Sequence, residues 1–394
     1  MVVNDLFDIE IHKDSKALDI DPESFSLTLH ESIHSFYPTA KLNISDTTGL
    51  LKDSLFGVEG FKLSFAMNNL NFDKNPPVDF VVYLPEYEQN NNRIISGNQI
   101  LDLVHDFYDI ETIESKAYKD RISNIVKKEV SKYNFSSIDI NDTGSNSTWY
   151  KLFSNTKDFI ENVLLPNAYS DNSNETSFFV FINLKNEFHF NNYKSLSSSS
   201  TGITLEYKPD QDGYLSPNLI YKLEPFYTGS KKHKQLRSVD CYTRDKETGK
   251  YFIENLKLSS FPKNSKNTKK LPIIYDESIT TNIINMQFSK EETGEKEALK
   301  ARLFNIQKNG YFIERLKIST ILNQNLTAGK TVTINVYKYN NNSTSISTTQ
   351  SGDFLIEDCI HHWDRLTKKA ITECIVSRKF ISIPPNSLLK DKLV

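Results

Sequence analysis

One pentapeptide has the spacing of a known chemistry: His30-Glu31-Ser32-Ile33-His34 reads H-E-x-x-H. On a helix this spacing stacks two imidazoles on one face for a zinc ion, and the glutamate activates a bound water for hydrolysis. His30, Glu31 and His34 are therefore the candidate metal set of a zinc-dependent hydrolase. Their neighbours oppose it. Phe25, Leu27 and Leu29 alternate as a strand does, Pro38 follows His34 closely, and Tyr37 and Ala40 stand where an extended zinc motif needs a glycine and a third histidine. A strand and turn are expected here, with no metal site and no catalytic residue.

Two further constellations fall short. Gly329-Lys330-Thr331 resembles the end of a phosphate loop, but Gln324 occupies the place of its first glycine and a strand pattern follows instead of a helix. Cys359, His361, His362 and Cys374 are metal-capable, yet C-x-H with one distant cysteine is not an established zinc spacing, and both thiols can pack as small hydrophobes. The Lys-rich tracts from Lys231 to Arg237 and from Lys263 to Lys270 lack interleaved aromatic residues, which favours solvated loops. No nucleophile elbow or glycine-rich dinucleotide fingerprint occurs, so no cofactor is expected.

Composition narrows the classes further. The 394 residues carry a formal net charge of -3, which gives no basic field for sequence-specific nucleic acid. Three cysteines, Cys241, Cys359 and Cys374, are too few for a disulfide framework and suit synthesis in a reducing cytoplasm. Met1 to Glu10 has no apolar signal region, and no apolar run approaches the roughly 18 residues of a membrane helix, so no membrane association is expected. The 25 Phe and 19 Tyr would suit a trimeric receptor-binding or adhesin module, but most lie in apolar strand patterns, where core packing is the commoner use.

The elements that would carry these residues are mostly strands. Alternation at Phe7 to Ile11, Phe25 to Leu29, Leu42 to Ile44, Phe61 to Phe65 and Phe80 to Leu84 predicts an all-β segment up to about residue 110. Ile122, Ile125, Val126, Val130 and Tyr133 then follow helical offsets. A second short helix is predicted behind Asn155 and Thr156, through Phe159, Ile160, Val163 and Leu164, ending before Pro166. Phe178 to Ile182 runs apolar on both faces, Lys185-Asn186-Glu187 turns, and Phe188-His189-Phe190 returns as a hairpin with His189 facing away from its neighbours. A helix from Glu295 to Gln307 and strands from Leu316 through Ile381 complete the pattern. YFIENLKLSS at 251–260 returns as YFIERLKIST at 311–320, identical at seven of ten positions, although the flanks do not repeat.

The order helix, small-residue loop, aromatic strand, polar turn and F-x-F return over Thr156 to Leu196 resembles the central segment of the baseplate hub proteins of contractile-tailed phages, related to the hub part of type VI secretion spike proteins. The run Tyr37 to Leu51 is similar to that family's strand ending in a D-x-x-G turn. Leu326 to Lys330, Ser351 to Ile356 with His361, and the strand containing Thr372 are similar to its second barrel. The resemblance implies a mainly β, α+β fold: two related antiparallel β-barrel domains that form a ring on trimerisation, with an inserted α/β domain. The implied divisions are residues 1–112 for the first barrel, 113–200 for the α/β domain with a continuation over about 240–305, 201–239 and 306–382 for the second barrel, and 383–394 for a tail. It also implies a structural, non-enzymatic virion protein made in the host cytoplasm. Its expected partners are two further copies in a homotrimer, the central spike protein, the tail tube protein and other baseplate subunits, and the ring would allow genome passage. In the tail, Pro384 and Pro385 end sheet pairing, and the segment beyond them either stays disordered or docks on a neighbouring protomer or the spike, with Pro384, Pro385, Leu388 and Leu389 as the candidate assembly contacts.

Overall fold

The computed structural model describes residues 9–13, 16–17, 25–46, 62–67, 79–89, 97–108, 113–144, 146–170, 177–208, 216, 218–225, 235–245, 251–256, 274–288, 312, 314–340, 343–348, 350–364 and 369–378. Among these the fold is mainly β. The first seven strands are β1 (Ile9–Lys13), β2 (Lys16–Ala17), β3 (Phe25–Ser32), β4 (Thr39–Asp46), β5 (Lys62–Met67), β6 (Asp79–Gln89) and β7 (Gly97–His105). They pair antiparallel in the order β3-β4-β7-β6-β5-β1-β2. The alternation read from the sequence sets the inner face: Phe25, Leu27 and Leu29 are buried while Ser26, Thr28 and His30 are not.

Residues 113–200 change character. They hold β8 (Glu114–Asp120), α1 (Ile122–Val130), β9 (Ser137–Ile140), β10 (Ser147–Ser154), β11 (Phe178–Ile182), β12 (Glu187–Asn192) and the short α2 (Tyr193–Ser198). β8 and β10 make a two-stranded ribbon, and β11-β12-β9 make a separate sheet in which β9 runs parallel to β12. Every residue of β11 is buried, as its two-sided apolar run requires. His189 turns away from Phe188 and Phe190 and stacks on Phe181 at 4.7 Å. The predicted second helix begins as expected, with the Asn155 side chain accepting the Asp158 amide at 2.7 Å. Only Thr156–Asp158 is α-helical. Phe159–Leu164 widens to a π-helix and Leu165–Asn167 tightens to a 3-10 turn containing Pro166.

The remaining strands are β13 (Ser200–Tyr207), β14 (Ile220–Pro225), β15 (Gln235–Asp245), β16 (Tyr251–Leu256), β17 (Ile274–Phe288), β18 (Glu314–Ile321), β19 (Thr331–Asn340), β20 (Ser343–Ile346), β21 (Gly352–Asp364) and β22 (Lys369–Arg378). β15, β16 and β17 form their own sheet. Both copies of the decapeptide thus contribute strand residues, Tyr251–Leu256 in the first and 314–320 in the second, in different company: β16 pairs with β15, whereas β18 pairs with β14 and β22. The expected helix from Glu295 to Gln307 lies outside the described residues, as do Pro384, Pro385, Leu388 and Leu389.

The described ladders differ from the expected pair of separate closed barrels. β14-β18-β22-β21 continues directly into β3-β4-β7, giving one 14-stranded sheet that is nowhere closed into a barrel. The cause is β21. Its first residues, Gly352 to Leu355, pair with β19, and its last, Asp358 to Asp364, pair with β3. The β3 edge that closure of the first unit would need is therefore occupied by the second unit. In the second unit one isolated bridge, Glu206 to Leu219, spans the opening between β13 and β14. Leu205, Ile318, Val332, Ile334, Phe354, Ile356 and Val376 fill its interior.

Candidate functional site

The H-E-x-x-H stretch lies on β3 and the turn after it, not on a helix. Alternation along a strand sends His30 and Glu31 to opposite faces. The His30 side chain is 41% exposed, and its Nε2 lies 3.8 Å from the Asp358 carboxylate. Glu31 is fully inside, where its Oε2 accepts the Leu184 amide and its Oε1 the Ala328 amide, each at 2.7 Å. Burial pushes its carboxyl above the ordinary range, and the two amides pull the other way. His34 turns to a third partner. Its Nε2 is 2.8 Å from Glu357, whose carboxylate also accepts Nε of Arg315 at 2.7 Å. The three motif side chains therefore serve three separate contacts, and among the described residues no three His, Cys, Asp or Glu side chains are grouped to hold a metal ion.

What the stretch does build is a junction. Leu184 belongs to the turn between β11 and β12, and Ala328 to the turn before β19, so Glu31 ties the first β unit to both other parts of the chain. Beyond β3 the backbone continues the tie: the Ile33 amide donates to the Glu357 carbonyl and the Ile182 amide to the Phe36 carbonyl, both at 2.9 Å. Ile33 then packs with Phe179 and Phe181 of β11, Tyr193 and Leu196 of α2, Phe312, Ala328 and Leu355. Gly329 is needed at this point. Its φ is +84°, and a Cβ there would sit 2.5 Å from the Phe181 ring.

Glu357 is the junction residue that sequence reading missed. Register shifts between Ile356 and Asp358, where β21 exchanges β19 for β3 as its neighbour, leaving Glu357 in a bulge. The bulge turns this buried carboxylate toward Arg315 and His34, and the Arg315 guanidinium lies over the Phe312 ring at 5.1 Å. A strand pattern read from one chain carries no mark of a bulge.

The other candidates are accounted for locally. Lys330 and Thr331 lead into β19, as a strand after the glycine predicted. His362 meets the Thr28 hydroxyl of β3 at 2.7 Å. Cys359, His361 and Cys374 are buried between β21 and β22. Apart from the junction, the ribbon holds a second buried charge cluster: Lys151 contacts Glu129 at 2.8 Å, Glu114 at 3.0 Å and Thr156 at 3.1 Å. Glu129 is pulled down to about 2 although its burial acts upward, because Lys132 and Lys151 both donate to it. Every carboxylate at the junction is engaged by an amide, a guanidinium or an imidazole, an arrangement suited to fixing segments of chain against one another.

No protein-family model and no curated protein sequence matches the chain. Solved structures do match over nearly its whole length. The 43 kDa tail protein of prophage MuSo2 from Shewanella oneidensis superposes with a TM-score of 0.55 at 9% identity, over 94% of this chain and 98% of that one. The tail protein from Neisseria meningitidis MC58 gives a TM-score of 0.54 at 8% identity, over 95% and 98%. This chain therefore has the fold of phage tail proteins.

Proposed function

We propose that the protein is a baseplate hub subunit of a phage tail, structural and non-enzymatic, that assembles as a homotrimer. The observation carrying this reading is the end-to-end fold likeness to two tail proteins of nearly equal extent. Each protomer contributes two β units, and three protomers place six similar units in a ring of pseudo-sixfold symmetry. The edge join of β3 to β21 suits this role, because it fixes the two units of one protomer side by side. The ring connects the tail tube protein to the central spike protein, contacts other baseplate subunits, and lets the genome pass. Residues 1–112 form one unit, 201–239 with 306–382 the other, and 113–200 with about 240–305 an outer α/β domain. The tail, 383–394, docks through Leu388 and Leu389 on a neighbouring protomer or the spike.

Multi-angle light scattering at micromolar concentration tests the assembly. The mass of three chains is expected, and a strict monomer both alone and with its spike overturns the reading. Truncation after Ile383 tests the tail separately: a trimer that still binds the spike with unchanged affinity removes its docking role.

A further inference from the structure

Cys359 and Cys374 are directly opposed partners on β21 and β22. Both thiols are free, both are buried, and their sulfurs lie 3.4 Å apart. A disulfide needs sulfurs about 2 Å apart and Cβ atoms about 4 Å apart, which directly opposed residues of an antiparallel pair approach without a change of register. The third cysteine, Cys241, belongs to the separate sheet of β15, β16 and β17. Two groups line the path of the thiol proton: the Cys359 sulfur donates to the Leu326 carbonyl at 3.3 Å and lies 3.5 Å from Nε2 of His361. The position also matters to the fold, since Cys359 pairs on its other side with Glu31 of the junction.

We propose that Cys359 and Cys374 form a peroxide-closed disulfide that staples β21 to β22 at the seam between the two β units. A peroxide is small enough to reach a buried sulfur through a brief opening of the sheet. The Cys359 thiolate attacks one peroxide oxygen, the O–O bond breaks and hydroxide leaves, taking up the thiol proton as water. The resulting sulfenic acid is attacked by the Cys374 sulfur; the S–S bond forms, the S–O bond breaks, and a second water leaves with the Cys374 proton. Two thiols and one peroxide thus give one disulfide and two waters. Its setting rests on the proposed function: in a virion outside the cell the staple closes, while a reducing cytoplasm would hold the newly made chain open. It does not depend on the oligomeric state.

The test is hydrogen peroxide treatment of the purified, folded full chain, followed by intact mass and non-reducing peptide mapping. The expected product is lighter by two hydrogens and carries one cross-link, between the Cys359 and Cys374 peptides. Its rate should rise about tenfold per pH unit near neutrality, because the attacking form is the thiolate. In Cys374→Ser, Cys359 should instead gain oxygen. Three results overturn the proposal: both thiols still free after exhaustive exposure, oxygen added to each sulfur without a cross-link, or a cross-link to Cys241. The wild-type measurement decides the matter even if the variant fails to fold.

Discussion

Glu31 is the residue on which three stretches of chain depend. Replacing it by alanine strips two buried amides of their acceptor, and at about 1–3 kcal/mol for each unsatisfied group the loss should be roughly 3 kcal/mol in urea unfolding. His30→Ala, at a half-exposed site, should cost under about 0.5 kcal/mol in the same measurement. A zinc site would reverse the contrast, because His30 would be a metal ligand whose loss costs the bound ion while the motif's glutamate only activates water. Phe153 makes a second case. It is 85% exposed and held at φ 44°, where only glycine is unstrained, so Phe153→Gly should raise stability by about 0.5–1 kcal/mol in thermal unfolding. The motif around Glu31 was plain in the sequence, but its role was not, because its amide donors lie 153 and 297 residues away. A residue's type is local information and its partner is not.

At the scale of elements, periodicity located the strands and helices better than it described them. Phe25 to Leu29 and Val332 to Val336 alternate in the sequence and bury alternately in the fold. The helix at Thr156 was legible from its cap and from Pro166, yet its pitch was not: Phe159, Ile160 and Leu164 are all buried on a π-helix, whose wider turn the same apolar spacing also satisfies. The ribbon of β8 and β10 is held to α1 by the Lys151 cluster, and this gives it a pH signature. Glu114 and Glu129 are both lowered to about 2 from an ordinary value of 4.5. A depressed carboxylate contributes stability that is complete above its unfolded value and lost as pH falls through the folded one. Stability should thus decline between pH 4.5 and about 2, and Glu129→Gln should flatten that decline. The same variant should lower stability near pH 7 by about 3 kcal/mol, because Lys151 is left buried with a weaker partner. Unfolding midpoints across that range measure both effects.

For the whole molecule, the seam decides how the parts behave together. Strand patterns foretold a mainly β chain, but not that β3 would pair with β21, a contact joining residues such as Thr28 and His362, 334 positions apart. Which edges meet is a property of the packed chain, and closure into barrels was therefore the least legible feature. Because the β3–β21 ladder runs unbroken from one unit into the other, the two should open together. Hydrogen exchange should find the β3 and β21 amides among the last to exchange, with equal opening free energies; earlier release of β3 alone would show the units unfolding independently.

The seam also has a mechanical meaning. Hydrogen bonds across antiparallel strands lie in the sheet, perpendicular to the chain direction, so a load along the strands shears all seven pairs between β3 and β21 at once instead of peeling them in turn. Such a joint resists shear along the strand axis through all of those pairs together. The Glu31 tie and the apolar cluster on Ile33 brace one side of that axis with parts drawn from three regions of the chain. A pull on one unit is then delivered to the other as a rigid displacement, with little of the work lost to bending between them.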